Sequence, residues 1–162
     1  MYKEKTMREM RRKERRLTDE QAWSIVDAAD YGVLSMMGEE NRPYNVPLSL
    51  ARKGTSLYFH CAKVGQKVDF LRQNSGVCVS FVTKADPDGE NLTTKYVSAT
   101  AFGTAQEVTE DTEKTEALTL IARRFAPGFE EAAKKEIEML LSVTAVWRID
   151  CDYITAKSNL ER

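Results

Sequence analysis

Histidine occurs once in the 162 residues, at His60, and cysteine only three times, at Cys61, Cys78 and Cys151. One imidazole cannot build a multi-histidine metal centre. Three scattered thiols without CxxC spacing give no zinc pattern, so no metal site is expected. An odd, dispersed set of cysteines fits a reducing, cytoplasmic compartment better than a disulfide framework. No apolar run approaches the roughly 20 residues that a membrane helix needs. GxGxxG, GxxxxGKS, GxxxxGKT and GxSxG are all missing, which removes the usual dinucleotide, P-loop and nucleophile-elbow sites. No pair of carboxylates stands out from the solvated background as acid–base machinery. Chemistry carried by the protein's own side chains is therefore scarce. A borrowed cofactor, bound and oriented by the fold, is the route left to catalysis.

Charge of one sign is also nearly absent in sum, at −1, but it is unevenly placed. Lys3, Lys5, Arg8, Arg11, Arg12, Lys13, Arg15 and Arg16 crowd residues 1–16, and the remainder is acidic. A basic arm of this kind can meet nucleic acid or an anionic membrane. Glu4, Glu9 and Glu14 are interleaved with it, and no aromatic residues alternate with the basic ones to stack on bases, so a nucleic-acid partner is not favoured. A solvated helix, or an arm lying across a second subunit, would have the same composition. No apolar stretch follows these charges, so they do not read as a secretory signal. With 42% apolar and 30% charged residues, the composition is that of an ordinary folded protein, and residues 17–162 read as a single domain.

Thr18 and Gln21 have capping-box spacing, and Ala22, Ile25, Val26 and Ala29 recur at helical period, which predicts a helix to about Asp30, ended by Gly32. Strands are predicted over 31–37, 44–52 and 56–61, the last two joined by a tight turn at Lys53 and Gly54. Pro47 removes a ladder donor and so marks an edge or a bulge. A short helix is expected to end near residues 74–76, followed by a β-branched strand at 77–83 and a loop over 85–94. Residues 95–108 alternate as a long strand, with Gly103 as a bulge or close-approach point. Residues 110–141 read as two helices broken at Pro127 and Gly128, and residues 142–157 close with a strand. Short antiparallel strands with few long crossovers favour a closed or partly closed barrel.

The most informative segment is LYFHCAKVGQK. A strand ends at His60 and Cys61, and Ala62, Lys63, Gly65 and Lys67 lead into a helix. Free amides at a helix start, together with two lysines, suit an anion such as phosphate. A solvated basic turn would look the same.

This segment, with MRRKERRLTD, RPYNVPLSL, VCVSF, YVSATAFGTAQEV and WRIDCDYITAKSN in order, resembles the pyridoxamine 5′-phosphate oxidase-like, FMN-binding split-barrel superfamily, and within it the nitroimidazole-resistance family. The resemblance runs from about Met7 onward. It implies a mainly β (α+β) fold, an antiparallel split β-barrel with flanking helices. It also implies a homodimer with FMN at both ends of the interface. Asn45, Val46, Pro47, Leu48 and Ser49 would lie along the isoalloxazine ring. The turn from His60 through Cys61, Ala62, Lys63, Gly65 and Gln66 to Lys67 would hold the phosphate. Tyr96, Ser98 and Lys157 would come from the partner subunit. Cys61 stands where serine or glycine is commoner, and lysine and glutamine replace arginine in the turn, which makes bidentate clamping less favourable.

Two functions are consistent with these features. One is an FMN-dependent reductase passing electrons from a reduced nicotinamide to a small organic acceptor, such as a nitro-aromatic, with His60 as a proton donor. The other is binding of flavin, haem or another planar ligand without turnover. Trp23, Trp147, Cys78 and Cys151 read as packing residues, and Arg123 and Arg124 as the basic end of a helix.

Overall fold

The computed structural model describes residues 9–160, so half of the basic arm, residues 1–8, lies outside the described residues. Thr18 opens helix α1 (Asp19–Ala28). Its hydroxyl accepts from the Gln21 amide, and the Gln21 side chain accepts from the Thr18 amide, so the capping box is formed. Ala22, Ile25 and Val26 bury one face. The helix stops at Ala29 and not at Gly32, which already belongs to a strand. Arg124 ends it from a distance by donating to the carbonyls of Val26 and Ala29 at 2.8 and 2.7 Å. These are acceptors that a helix end leaves without partners.

Seven strands follow: β1 (Gly32–Met37), β2 (Pro43–Leu48), β3 (Ala51–Lys53), β4 (Ser56–Ala62), β5 (Gly76–Asp88), β6 (Thr93–Val108) and β7 (Thr144–Ser158). Helix α2 (Gln66–Gln73) follows β4, while α3 (Asp111–Phe125) and α4 (Glu130–Leu140) lie between β6 and β7. The sheet is antiparallel throughout, in the order β2-β1-β5-β6-β7-β4-β3. Leu34, Phe59, Val79, Ala101 and Trp147, from strands across the sheet, meet in one buried cluster, so the sheet curls around it. Its end strands β2 and β3 are consecutive in the chain yet do not pair. The barrel is split there, as expected from the sequence.

Two local expectations change. The strand predicted over 44–52 is two strands on opposite edges of the sheet, because Ser49 and Leu50 leave the ladder and buried Leu50 anchors the crossing. The loop predicted over 85–94 is mostly hairpin, with β5 and β6 pairing from Lys84↔Val97 to Asp88↔Thr93. Its turn-forming residues sit in a two-stranded ribbon, where Pro87 disrupts little. Val97 packs partly against the core. The bulge at Gly103 is present: Phe102 faces Tyr153 but Gly103 faces Cys151. A Cβ on Gly103 would stand 2.2 Å from the Asp150 carbonyl oxygen, so the backbones approach too closely for any side chain.

A second cluster covers the outer face near β3, β4 and β7. There Tyr58, Ala117, Leu118, Ile121 and Val146 pack α3 onto the barrel. The α3–α4 break falls at Pro127 and Gly128, where Gly128 takes φ +86.

Candidate functional site

Side chains alternate along β4. Leu57 and Phe59 are buried in the barrel with Cys61 packed beside them, while Tyr58 and His60 face outward. His60 and Cys61 therefore point to opposite faces, and no Cys–His pair forms. Beyond Ala62, residues 63–66 are exposed. Gly65 takes φ +131, a value that disfavours any side chain, and its position lies in open space. It caps α2 with no side-chain hydrogen bond.

The amides of Val68 and Asp69 close onto the Gly65 carbonyl at 2.9 and 3.1 Å. Those of Gln66 and Lys67 have no partner among the described residues. Lys63 is exposed beside them, and Lys67 folds back so that Nζ lies 5.6 Å over the Phe59 ring. Two free amides and two ammonium groups form a donor set suited to a phosphate.

The charge of Lys67 is felt on both faces of the strand. Burial pushes the His60 imidazole below its ordinary value and Lys67 adds to this, with Glu136 opposing. Burial pushes the Cys61 thiol up, with Lys67 opposing. Cys61 itself lies within β4, paired with Ala145, and its side chain packs against the core and not in the turn.

Strand β2 is an edge paired only with β1, which explains how Pro47, opposite Val33, is accommodated. Asn45 and Pro47 are exposed on its outer side; Val46 and Leu48 turn into the core, leaving only their backbone for a ligand. Ser49 sits just beyond the strand. Tyr44 meets Phe70 edge-on, with centroids 5.4 Å apart. A recess of about 290 Å³ between Arg42, Pro43, Tyr44, Gln66 and Phe70 brings the start of β2 against the start of α2. Of the site residues expected from the sequence, only Gln66 lines this recess; Asn45–Ser49 lie further along the chain, outside it.

The third group does not join them within one chain. Ser98 pairs with Lys157, while the β4 end, at Ala62, pairs with Thr144. Thr144 and Lys157 are about 40 Å apart along β7 at the usual rise per residue. Tyr96, Ser98 and Lys157 cluster at the far end, where Lys157 Nζ lies 5.5 Å from the Tyr96 ring.

The profile of the pyridoxamine 5′-phosphate oxidase family matches residues 18–158. The chain belongs to that family. No curated protein matches its sequence. Among solved structures, it is similar to a candidate 5-nitroimidazole antibiotic resistance protein from Bacteroides thetaiotaomicron, at 22% identity over 88% of this chain and 85% of that one, with a TM-score of 0.71. It is also similar to a FAD- and haem-binding protein from Mycobacterium smegmatis (19% identity, 89% and 72% of the two chains, TM-score 0.76) and to the flavocytochrome Anf3 from Azotobacter vinelandii (20%, 96% and 74%, TM-score 0.78). At these identities the structural likenesses establish the family's fold.

Two features escaped the sequence reading. Arg15 of the basic arm donates to the Tyr96 hydroxyl at 3.2 Å, and nothing in the periodicity of the arm distinguishes it from its neighbours. In addition, His60 opens onto a cavity of about 300 Å³ under α3 and α4, walled by Leu118, Ile121, Phe125 and Ile137, with Glu136 at its side. The imidazole makes no hydrogen bond among the described residues. Residues 110–141 were legible only as two helices; that these leave a gap above a strand end is a tertiary fact.

Proposed function

We propose that the chain is an FMN-dependent oxidoreductase that reduces a small organic acceptor, such as a nitro-aromatic, and that it works as a homodimer. The observation that carries this reading is the uncapped start of α2, with two free amides and Lys63 and Lys67 beside it, set against the open edge of β2. The amides of Gln66 and Lys67 would hold the phosphate, and the open space at Gly65 lets it approach the backbone. Asn45, Pro47 and the backbone of Val46 and Leu48 would lie along the ring system. Bound there, the flavin would supply transfer of hydride and electrons from a reduced nicotinamide to the acceptor. His60 stands above an apolar cavity, where burial and Lys67 lower its pKa; it would meet the acceptor there and, in its protonated form, supply a proton.

Distance supports a second subunit: Tyr96, Ser98 and Lys157 lie far along β7 from their own phosphate turn, and a neighbour's turn is the one they would serve. The outer faces of β1, β5, β6 and β7 carry half-buried Val33, Ser80, Thr100 and Tyr153, a surface suited to such contact. An interface of this type commonly exceeds about 2,000 Å². The likeness to a FAD- and haem-binding protein supports a second reading, in which flavin or haem is bound without turnover.

Titration with FMN, read by quenching of flavin fluorescence, tests the cofactor at one equivalent per subunit, and a flat titration removes the proposal. Anaerobic mixing with NADH or NADPH, then with a nitro-aromatic, separates the two readings. Bleaching followed by recovery supports the reductase, and flavin that stays oxidised supports a carrier. Sedimentation of a stable monomer that still holds FMN would refute the dimer.

A further inference from the structure

We propose that the cavity under α3 and α4 is built for a small apolar ring carrying a protonated amine, with Glu136 as its specificity-determining residue. Helical period puts Ala133, Glu136, Ile137 and Leu140 on one face of α4, and all four line the cavity. Three are apolar, as the inward stripe of a surface helix requires, and the fourth is a carboxylate. The facing wall, from Leu118, Ile121 and Phe125 of α3, is apolar at the same spacing. A charged residue on an inward apolar stripe is the informative departure, because packing alone gives no reason for it.

The gap is held open by the fold. Helix α4 buries none of its residues, whereas α3 buries Lys114, Ala117, Leu118 and Ile121. Lys114 Nζ donates to the Leu141 carbonyl at 2.6 Å and so fixes the end of α4. Gly128, at φ +86, turns the chain between the two helices. About 300 Å³ is left between them and the end of β4, at the small end of the range for ligand pockets and enough for one ring with a short side chain.

The cavity has few polar groups, and its one carboxylate is unpaired. The Thr144 hydroxyl donates to the Leu140 carbonyl at 2.9 Å. Among the described residues Glu136 has no cation within 4 Å, whereas Glu40, Glu107, Glu113 and Glu116 each have one. Its neighbours three and four residues away on the helix are Ala132, Ala133, Met139 and Leu140, none of which can pair with it. Lys67 does not line the cavity, since its ammonium lies over the Phe59 ring. Glu136 is exposed, at the mouth. It can therefore take an ammonium group that keeps part of its hydration while the ring enters between Leu118 and Ile137. An anionic ligand would meet the carboxylate with no lining cation to offset it.

In the reductase proposed above, and resting on that reading, this ligand is the acceptor: Glu136 would hold a nitro-aromatic amine in the cavity beside His60. Binding can be read without that chemistry, because the single imidazole reports from the cavity wall. The full-length protein is titrated near neutral pH with benzylamine, benzyl alcohol and benzoate, which share a ring and differ in charge, while the His60 proton signals are followed by NMR. Benzylamine is expected to bind about two- to fivefold more tightly than benzyl alcohol, as an exposed ion pair allows, and benzoate most weakly. Glu136→Gln should bring the amine and alcohol affinities together, and Glu136→Asp should recover part of the difference. Ala133→Leu, which fills the cavity, should weaken both; thermal unfolding checks that each variant is folded. Steady-state reduction of para-nitrobenzylamine against para-nitrobenzyl alcohol then reports on the acceptor role, with Glu136→Gln raising KM more for the amine than for the alcohol. If neither compound is reduced, the reductase reading fails, and the titrations still decide this site. A His60 signal unmoved by all three ligands, equal affinity for amine and alcohol in the wild type, or a Glu136→Gln protein that keeps the preference overturns the proposal.

Discussion

Replacing Lys67 with Met removes a charge while keeping a stem that can cover the Phe59 ring, so its effects report on the ammonium alone. A charge-assisted contact to phosphate is worth about 1.5–3 kcal/mol, and FMN affinity should fall by a factor of about 10–100. Riboflavin, which lacks the phosphate, should bind as before. The same substitution should move His60. Its pKa lies below the ordinary value first because of burial and second because of Lys67, so losing Lys67 should raise it part of the way back.

The sign carries into stability. The unfolded chain takes up this proton first as pH falls, so the stability contributed by neutral His60 is complete above about pH 6.5 and declines below it. Lys67→Met should make that decline shallower, and His60→Asn should abolish it. Proton NMR of the single imidazole gives the pKa directly, and denaturant titrations between pH 7.5 and pH 5 give the stability. The Met sulfur can still contact Phe59, so Tm at neutral pH should stay within a few degrees. Equal losses of FMN and riboflavin affinity would show that Lys67 supports the turn without touching phosphate. An unmoved His60 pKa would show that the ammonium does not stand over the strand end.

Gly103→Ala should destabilise the protein by at least about 1–3 kcal/mol, since the new Cβ meets the Asp150 carbonyl oxygen at 2.2 Å and backbone must move; calorimetry should show a Tm several degrees lower. Arg124→Met leaves the Val26 and Ala29 carbonyls without their donor and should cost about 1.5–3 kcal/mol in urea unfolding, with FMN affinity unchanged. The thiols should alkylate slowly at pH 8 in the native protein and quickly once unfolded. Burial raises Cys61 and Cys78 and pushes Cys151 up to about 12, so little thiolate is present; rapid native labelling of Cys151 would contradict its burial.

Much of this arrangement was legible where chemistry is local. Thr18 and Gln21 stand three residues apart because a capping box requires it, and both bonds are formed. Pro47 could not serve a central ladder and lies on an edge. Gly103 marked a backbone contact that period-two alternation alone would have hidden. The strand-to-helix junction at His60–Lys67 was readable because glycine and lysines at a helix start have a direct electrostatic meaning. The rest depends on contacts distant in sequence. Nothing between Tyr44 and Arg52 says that the chain leaves one edge of a sheet and enters the other, since both strands alternate alike and only buried Leu50 records the crossing. Residues 85–94 carry turn formers, but a ribbon outside the main sheet tolerates them, and its register is reset by an irregularity between Val82 and Lys84 that no local pattern announces. Arg15 shows the same limit. Eight basic residues near the start of the chain are interchangeable by composition, and only the bridge from Arg16 to Lys157 decides which guanidinium reaches Tyr96. Shifting that bridge by one residue would turn Arg15 away from the ring and bring a neighbour toward it. The specificity of this cluster therefore resides in backbone register, and charge alone could not have announced it.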